Sequence, residues 1–280
     1  YVCTVFLQRQ QRTARGFALM PFLQVEGAPL YYEEAGTGPV LVLLHGLGAS
    51  LQDWEYQIPF FSRNYRCITV DLRGFGRSAR GSGALSLPRF AADVWNVFTQ
   101  LQVQDFYLIG HSMGGAVALQ LALDHPLAVR KLVISNSVPT FIPRTFSQRF
   151  EVWYRLLVTR LLGPARLARI GALRMFPRQE QAALREKSIQ RGSQGSGENY
   201  LQALRAMTHW SVIDRLRELH MPVLVLAAEH DYFTREDMLQ FAHALPRGRF
   251  HLFANTHHGL PLEAPEHFNR VVRKFLRGAA

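Results

Sequence analysis

A serine stands between two glycines at residues 110–114, where the chain reads GHSMG. A run of strand-forming residues precedes it and a helix-forming run follows, so we predict that Ser112 lies in a tight turn between a strand and a helix. Glycine lacks a side chain and lowers the stability of regular elements, so this turn gains little as packing. It is useful if the serine hydroxyl must stand clear of the backbone and meet a reaction partner.

Other polar residues follow the other apolar, strand-like runs. His45 begins one such loop, Asp231 follows a second run, and His257 and His258 follow a third. Reactive groups gather at the carboxyl ends of the strands in an open parallel sheet. A serine hydroxyl is a poor nucleophile at neutral pH, so it needs a histidine that accepts its proton and a carboxylate that orients this histidine. We therefore predict a catalytic site in which Ser112 is the nucleophile.

Two backbone amides are candidates for binding the negative charge that develops on a carbonyl oxygen under attack. The amide of Met113 begins the helix after the serine, and the amide of Leu47 lies in the glycine-containing loop after the first long strand. Hydrogen-bond donors placed in this way form an oxyanion hole. We predict that role for the amides of Leu47 and Met113.

The elements that must position these residues alternate along the chain. Two short runs on either side of Gly27 predict a β-hairpin, and strand-like and helix-like segments alternate from residue 40 to a last helix at about 264–277. An amphipathic, helix-like stretch is expected at about 50–62. Repeated strand–helix units predict an α/β fold with a mostly parallel, doubly wound sheet that is covered by helices on both faces.

The segment from 139 to 215 breaks this alternation, because it holds no strand-like run and its pattern predicts three or four helices. The stretch GSQGSG at 192–197 predicts a flexible joint between two of them. We predict that residues 139–215 form a helical cap, or lid, over the strand ends, and that 20–138 and 216–280 form the core domain. Residues 1–19 are expected to be a non-native or disordered extension.

The net charge of +11 is distributed unevenly. Residues 1–19 carry three arginines and no acidic residue, and residues 139–220 carry 14 Lys or Arg against 6 Asp or Glu. No zinc-finger, helix-turn-helix or aromatic RNA-reading pattern accompanies these arginines, so nucleic acid is not an expected partner. A basic lid would attract anionic substrates or make a weak contact with a membrane surface.

Composition excludes several other classes of protein. The apolar runs are far shorter than the roughly 18 residues of a membrane span, so no transmembrane segment is expected. Cys3 and Cys67 show neither disulfide nor metal-type spacing, which fits a reducing cytoplasm. No metal and no cofactor is expected. The predicted partner is a small molecule, and the protein is expected to be a monomer or a dimer.

The motifs together resemble those of a capped α/β-hydrolase of the serine carboxylesterase or lipase type. The resemblance runs from about Met20 to Phe275 and rests on HGLG, DLRGFGRS, GHSMGG, AAEHD and HHGLPLEAPEHF. It implies a catalytic triad in the order Ser112, Asp231 and His258.

Two members of this triad have alternatives. The last motif of the family places its histidine five residues before a glutamate, which indicates His258, but His257 stands where the family usually has glycine. Asp71 and Glu229 also follow strand-like runs, so either is an alternative to Asp231 for orienting the histidine.

Further residues are candidates for binding the substrate. His45 also fits a structural role in bracing the oxyanion loop, and aromatic residues at helical spacing also fit a packed core. The run Arg73 to Ser78 resembles a structural loop of the family. The candidate substrate-binding residues are His45, His111, Trp153, Tyr154, Met207 and Trp210.

The type of nucleophile narrows the expected reaction. Haloalkane dehalogenases and epoxide hydrolases of this fold resemble one another in using aspartate where this chain has Ser112. The resemblance therefore implies hydrolysis of carboxylic esters. The alternatives are a carbon–carbon bond hydrolase, an enol-lactonase or perhydrolase with the same triad, and a ligand-binding or signalling member. Carbon–carbon hydrolases of this fold resemble one another in often having asparagine before the serine and an extra lid arginine that faces the substrate. His111 therefore favours the esterase, although any of several lid arginines could serve in the second role.

Overall fold

The computed structural model describes residues 22–278, so the predicted extension at residues 1–19 lies outside the described range. The strands are β1 (Phe22–Val25), β2 (Ala28–Ala35), β3 (Val40–Leu44), β4 (Arg66–Val70), β5 (Phe106–His111), β6 (Val129–Ser135), β7 (Val223–His230) and β8 (Gly248–His257). The helices are α1 (Ile58–Phe61), α2 (Leu87–Gln100), α3 (Met113–Asp124), α4 (Phe146–Met175), α5 (Ala182–Ser193), α6 (Gly197–Met207), α7 (Arg235–Ala244), α8 (Leu260–Glu263) and α9 (Pro265–Arg277).

The strands form one sheet in the order β1-β2-β4-β3-β5-β6-β7-β8. Strands β3 to β8 are parallel, and the hairpin of β1 and β2 is antiparallel at one edge. Ile109 pairs with Leu43 on one side and Val133 on the other, so the carboxyl ends of neighbouring strands lie at one edge. The predicted mostly parallel, doubly wound α/β sheet is confirmed.

Helices cover both faces of the sheet because successive strand residues point to opposite faces. Val42 and Leu44 join the core cluster that contains α2, α3 and α7. Leu41 and Leu43 join the opposite cluster, to which α9 contributes Phe268. Both faces of a central strand are therefore buried, which accounts for its continuous apolar sequence.

Helices α4, α5 and α6 lie between β6 and β7 in the chain, and we call them the helical insertion. Helix α4 is kinked where Gly163 takes a positive φ of 75° and Pro164 follows. Proline lacks an amide hydrogen and cannot continue the hydrogen bonding of the first half. Residues 194–196, within the predicted joint, connect α5 to α6. None of the described helices has the length and apolar character that crossing a membrane requires.

The amphipathic stretch at about 50–62 does not form one continuous helix. The chain instead forms a 3-10 turn at Leu51–Trp54 and then the single turn α1. Pro59 has no amide hydrogen, and its ring would clash with the carbonyl of Glu55 in a continuous helix. The apolar pattern arises because Trp54 and Phe61 are both buried in the core.

Candidate functional site

Polar residues line the carboxyl edge of the parallel strands. The first residue after each of β3, β4, β5, β6, β7 and β8 has a polar or ionisable side chain. Loops at this edge face a common crevice in open α/β sheets, so these side chains can meet there. The six residues are His45, Asp71, Ser112, Asn136, Asp231 and His258.

The turn that carries Ser112 is strained and closely packed. Ser112 has a positive φ of 52° with ψ −121°, a conformation that residues with a side chain rarely adopt. A Cβ atom at Gly110 would lie 2.3 Å from the carbonyl oxygen of Gly114, so this turn requires glycine. Ser112 occupies the N-cap of α3, but its hydroxyl makes no capping hydrogen bond. The hydroxyl is therefore available to another partner.

Ser112, His258 and Asp231 form a chain of hydrogen bonds. Oγ of Ser112 lies 2.9 Å from Nε2 of His258, and Nδ1 of His258 lies 2.6 Å from Oδ1 of Asp231. The Tyr232 amide donates to Oδ1 of Asp231 and the Asn136 side chain donates to Oδ2, both at 2.6 Å. Burial raises the pKa of Asp231, but the charge of His258 and these hydrogen bonds outweigh burial and lower it. Asp231 is therefore a carboxylate that holds His258 with Nδ1 protonated.

The residues considered as alternatives to His258 and Asp231 have other hydrogen-bond partners. Nδ1 of His257 lies 3.0 Å from Oε1 of Glu263, and the His257 amide donates to the same carboxylate. Asp71 accepts hydrogen bonds of 2.7 and 2.8 Å from the backbone amides of Leu51 and Arg77, and Glu229 accepts one of 2.7 Å from a backbone amide of β8. Of the two neighbouring histidines, the structure brings His258 to the serine.

The amides predicted to form the oxyanion hole lie in segments next to Ser112. A Cβ atom at Gly46, the residue before Leu47, would lie 3.2 Å from Cβ of Ser112. Met113 is the first residue of α3, where the helix dipole is positive. Neither the Leu47 nor the Met113 amide donates a hydrogen bond to another of the described residues.

The two histidines predicted near the site are neutral for different reasons. Nδ1 of His45 lies 2.8 Å from the carbonyl oxygen of Gly46, and Nε2 accepts a hydrogen bond of 2.9 Å from the Leu72 amide. A carbonyl oxygen only accepts hydrogen bonds, and a backbone amide only donates them. His45 therefore carries its proton on Nδ1, and its two hydrogen bonds brace the loop. Burial and the charge of His258 lower the pKa of His111 to about 3.

A cavity of about 190 Å³ opens beside Ser112, between the strand ends and the helical insertion. A water molecule needs roughly 10–15 Å³ on this measure, so the cavity can hold an organic molecule. Three of the predicted binding residues, His45, His111 and Tyr154, line it. Within residues 22–278, no group of three or more His, Cys, Asp or Glu side chains is placed to hold a metal ion.

Trp153, Met207 and Trp210, also candidates for binding the substrate, do not line this cavity. Trp153 lies on the outer face of α4 with 54% of its surface exposed. Met207 and Trp210 are buried in the core, where the indole of Trp210 donates a hydrogen bond of 2.9 Å to Gln120. Helical spacing identifies residues that share a face, but it does not tell which face meets the cavity.

Arg73, predicted to belong to a structural loop, is buried at the side of the sheet. Its guanidinium donates two hydrogen bonds of 2.6 Å to the carboxylate of Asp93 in α2 and one of 2.8 Å to the carbonyl of Val25. These contacts join the loop after β4 to α2 and to the hairpin.

Two residues of the site are absent from the predictions made on sequence. Asn136 holds the second oxygen of Asp231, and its signal was available, because Asn136 follows a strand directly, as Ser112 does. Arg155 lines the cavity from α4. The resemblance raised a lid arginine that faces the substrate, but nothing in the sequence singled out Arg155 among the many arginines of the insertion.

Comparison with known proteins identifies the family. The family model described as alpha/beta hydrolase fold matches residues 39–265. A protein of Serratia proteamaculans (strain 568) named "Putative carbamate hydrolase RutD" is 32% identical over 260 residues, which cover 88% of this chain and 96% of the relative.

Two solved structures share the fold. The enol-lactonase from Burkholderia xenovorans LB400 has a TM-score of 0.85 at 24% identity, with 92% of this chain and 100% of that chain covered. The esterase EaEST from Exiguobacterium antarcticum has a TM-score of 0.86 at 24% identity, with 93% and 100% covered. With its sheet, its strand-end residues and its family match, the chain belongs to the α/β-hydrolase fold family.

Proposed function

We propose that this hydrolase cleaves carboxylic esters through a covalent acyl-enzyme, with Ser112 as the nucleophile. The observation that carries the proposal is the chain of hydrogen bonds from Ser112 to His258 (2.9 Å) and on to Asp231 (2.6 Å). Oγ of Ser112 attacks the ester carbonyl carbon while Nε2 of His258 accepts the hydroxyl proton. Asp231 stabilises the imidazolium that results.

The tetrahedral intermediate carries a negative oxygen, which the amides of Leu47 and Met113 bind. Removal of one such donor typically lowers the rate by about 100-fold or more. When the intermediate collapses, His258 returns the proton to the leaving alcohol and the acyl group stays on Ser112. Water then attacks the acyl-enzyme with His258 as the base, which releases the acid and restores the serine.

A second candidate substrate class is the carbamates. The observation that favours it is the 32% identity to the Serratia proteamaculans relative, whose name specifies a carbamate hydrolase. A carbamate ester also presents a carbonyl to the serine, and the covalent intermediate would be a carbamoyl-enzyme. The enol-lactonase alternative uses the steps described above, because a lactone is a cyclic ester.

The test is hydrolysis of p-nitrophenyl esters from acetate to laurate by the intact protein and by Ser112→Ala. We expect turnover that Ser112→Ala reduces by about 10,000-fold or more, because the variant has no nucleophile. Ser147→Ala, an exposed serine of α4, is the matched control and should retain full activity. An absence of Ser112-dependent ester turnover would refute the proposal and favour carbon–carbon hydrolysis or a ligand-binding role.

A further inference from the structure

The inner face of α4 brings charged side chains to the cavity. Glu151, Arg155 and Arg174 all line it. Oε1 of Glu151 accepts a hydrogen bond of 2.8 Å from Nε of Arg155 and one of 2.7 Å from Nη1 of Arg174. Burial opposes ionisation of Glu151, but the two arginines outweigh it and lower its pKa. One carboxylate thus faces two guanidinium groups, which leaves one positive charge unmatched.

The cations of α5 pair with acidic side chains. Arg191 lies 3.1 Å from Glu55 and 3.9 Å from Asp53, and Lys187 lies 2.9 Å from Glu55. At the Arg155–Arg174 pair, in contrast, two guanidinium groups share the single carboxylate of Glu151.

Arg155 lies near His258, with the ring of Tyr232 between them. Its Cζ atom is 4.8 Å from the ring centre of Tyr232, and this ring is 4.7 Å from the ring of His258. Nε is engaged by Glu151, whereas the two Nη groups have no hydrogen-bond partner in the described part of the chain. The Arg155 side chain keeps 24% of its surface accessible. A guanidinium with open Nη donors matches the two oxygens of a carboxylate.

We propose that Arg155, with Arg174 beside it, forms an anion subsite for a carboxylate group of the substrate. The proposal rests on the ester hydrolysis proposed above and specifies its substrate class. The preferred substrates are esters in which a short chain joins a free carboxylate to the reacting carbonyl group. The carboxylate accepts hydrogen bonds from Nη of Arg155 while Ser112 attacks the carbonyl at the other end.

The test uses two esters that differ only at the distal end of the acyl chain. Monomethyl glutarate ends in a carboxylate where methyl pentanoate ends in a methyl group. We expect a higher kcat/KM for monomethyl glutarate. Arg155→Gln should lower that value about 10- to 100-fold, the range of a charge-assisted hydrogen bond, with little effect on methyl pentanoate. Arg166→Gln, an exposed arginine of the same helix, is the matched control.

Glu151→Gln provides the complementary variant. It removes the carboxylate that partly neutralises the two arginines, so it should raise the preference for monomethyl glutarate. If Arg155→Gln lowers kcat/KM for both esters equally, the subsite is refuted while the esterase proposal stands.

If neither these methyl esters nor the p-nitrophenyl esters show Ser112-dependent cleavage, the proposed function fails and the subsite is tested by binding alone. Glutarate should then raise the Tm of the intact protein more than that of Arg155→Gln. Equal shifts, or none, would refute the subsite.

The outer face of α4 carries a second, independent feature. Hydrophobic side chains recur there every three or four residues and so form one stripe along the helix. Their exposed fractions range from 36% for Leu157 to 85% for Phe146. Surface helices normally turn their apolar residues inward, whereas this helix also exposes an apolar stripe on its outer face. The apolar stripe consists of Phe146, Phe150, Trp153, Leu157 and Leu161.

Arginines border the apolar stripe without acidic residues. Arg149 and Arg160 follow Phe146 and Leu157 by three residues, and both are exposed. Glu151, the acidic residue of α4, is engaged by the arginines at the cavity. If two copies docked through this stripe, their arginines would meet without carboxylates from the same helix. An anionic lipid surface instead accepts apolar side chains and attracts arginines.

We infer that the apolar stripe binds the surface of a bilayer that contains anionic phospholipids. The test is co-sedimentation of the full chain with vesicles of phosphatidylcholine, alone or mixed with phosphatidylglycerol. Binding should require phosphatidylglycerol and weaken at high salt, because exposed charges are screened. The double variant Phe150→Ser, Trp153→Ser should lose this binding, and Leu127→Ser, an exposed residue outside the insertion, should retain it.

Two outcomes would overturn this inference. One is the absence of binding to the mixed vesicles by the intact protein. The other is a dimer in solution that the double variant converts to a monomer, which would make the stripe a surface for self-association.

Discussion

Asp53 has an environment that favours its neutral form. It lines the cavity, and burial raises its pKa to about 7, an effect that Arg191 opposes and that Glu55 and Asp71 reinforce. Asp53 is therefore partly protonated near neutral pH, unlike Asp231.

We expect Asp53 to make the free energy of unfolding decrease as pH rises from about 4 to about 7. In the unfolded chain this carboxyl group loses its proton near pH 3.9, but in the folded chain it keeps the proton until about pH 7. The folded state therefore binds more protons over this interval, and raising the pH disfavours it. Asp53→Asn should lose less stability than the intact protein between these pH values.

Urea denaturation of both proteins at several pH values measures this difference. Asp214→Asn, an exposed aspartate, serves as the control and should follow the intact protein. Parallel pH dependence of Asp53→Asn and the intact protein would contradict the assignment to Asp53.

Asn136 acts on the reaction through Asp231. Asn136→Ala removes one hydrogen bond that lowers the pKa of Asp231, so this pKa should rise and the acid limb of the pH–rate profile should move to higher pH. We also expect kcat to decrease by about tenfold, the effect of a hydrogen bond to a charged group. Asn64→Ala, on an exposed loop, should change neither quantity. A lower kcat with an unshifted acid limb would indicate a structural role alone.

At the scale of elements, glycines allow α3 to approach the strands. A Cβ atom at Gly114 would lie 2.3 Å from the carbonyl oxygen of Leu44 and 2.5 Å from that of His45. Both oxygens belong to the backbone segment that leads to the Leu47 amide. A side chain at residue 114 would therefore force either α3 or this segment to move. The close contact between α3 and β3 thus depends on the absence of a side chain.

Gly114→Ala should therefore lower the free energy of unfolding by about 1–3 kcal/mol, as overpacking does. Ester turnover should fall as well, because the shift displaces the oxyanion loop. Gly171→Ala is the matched control in α4, where a Cβ atom would meet nothing within 4 Å. It should stabilise the protein by up to about 1 kcal/mol through helix propensity. Thermal denaturation of the two variants measures whether Gly114→Ala destabilises the protein and Gly171→Ala stabilises it. Equal changes in stability would contradict the packing argument.

At the scale of the whole molecule, polar contacts hold the helical insertion to the sheet. Glu55, after the 3-10 turn, pairs with Lys187 (2.9 Å) and Arg191 (3.1 Å) of α5. The Asn199 side chain of α6 donates a hydrogen bond of 2.8 Å to the carbonyl of Gly74. The cavity lies between these two parts, so the contacts govern how readily it opens.

Glu55→Gln should loosen α5 without unfolding the protein. Hydrogen exchange of residues 182–193 should accelerate roughly fivefold, because each partly exposed pair contributes up to about 1 kcal/mol. Exchange in β5 and β6 should stay unchanged. Glu218→Gln, which removes an exposed local pair with Arg215, is the control. Unchanged exchange in α5 would show that apolar contacts alone hold the insertion.

The order of the elements and the residues at the strand ends follow from the sequence alone. Strand periodicity, turn residues and helix starts are local signals, and the end of a strand places its next residue at the edge of the sheet. These local signals select Ser112 and a small set of acidic residues and histidines as one group, and the resemblance to the hydrolase motifs indicates Asp231 and His258 among them. Asn136 obeys the same rule and could have been selected with them.

Only the tertiary structure decided which face of each helix meets the cavity. Trp153 and Tyr154 are neighbours in one helix, yet Tyr154 lines the cavity and Trp153 faces outward. Both faces of α4 contain apolar and charged residues, so periodicity cannot assign either face to the cavity. His257 and His258 also differ only in direction, one toward Glu263 and the other toward the serine. Direction depends on contacts between distant parts of the chain, which local sequence does not encode.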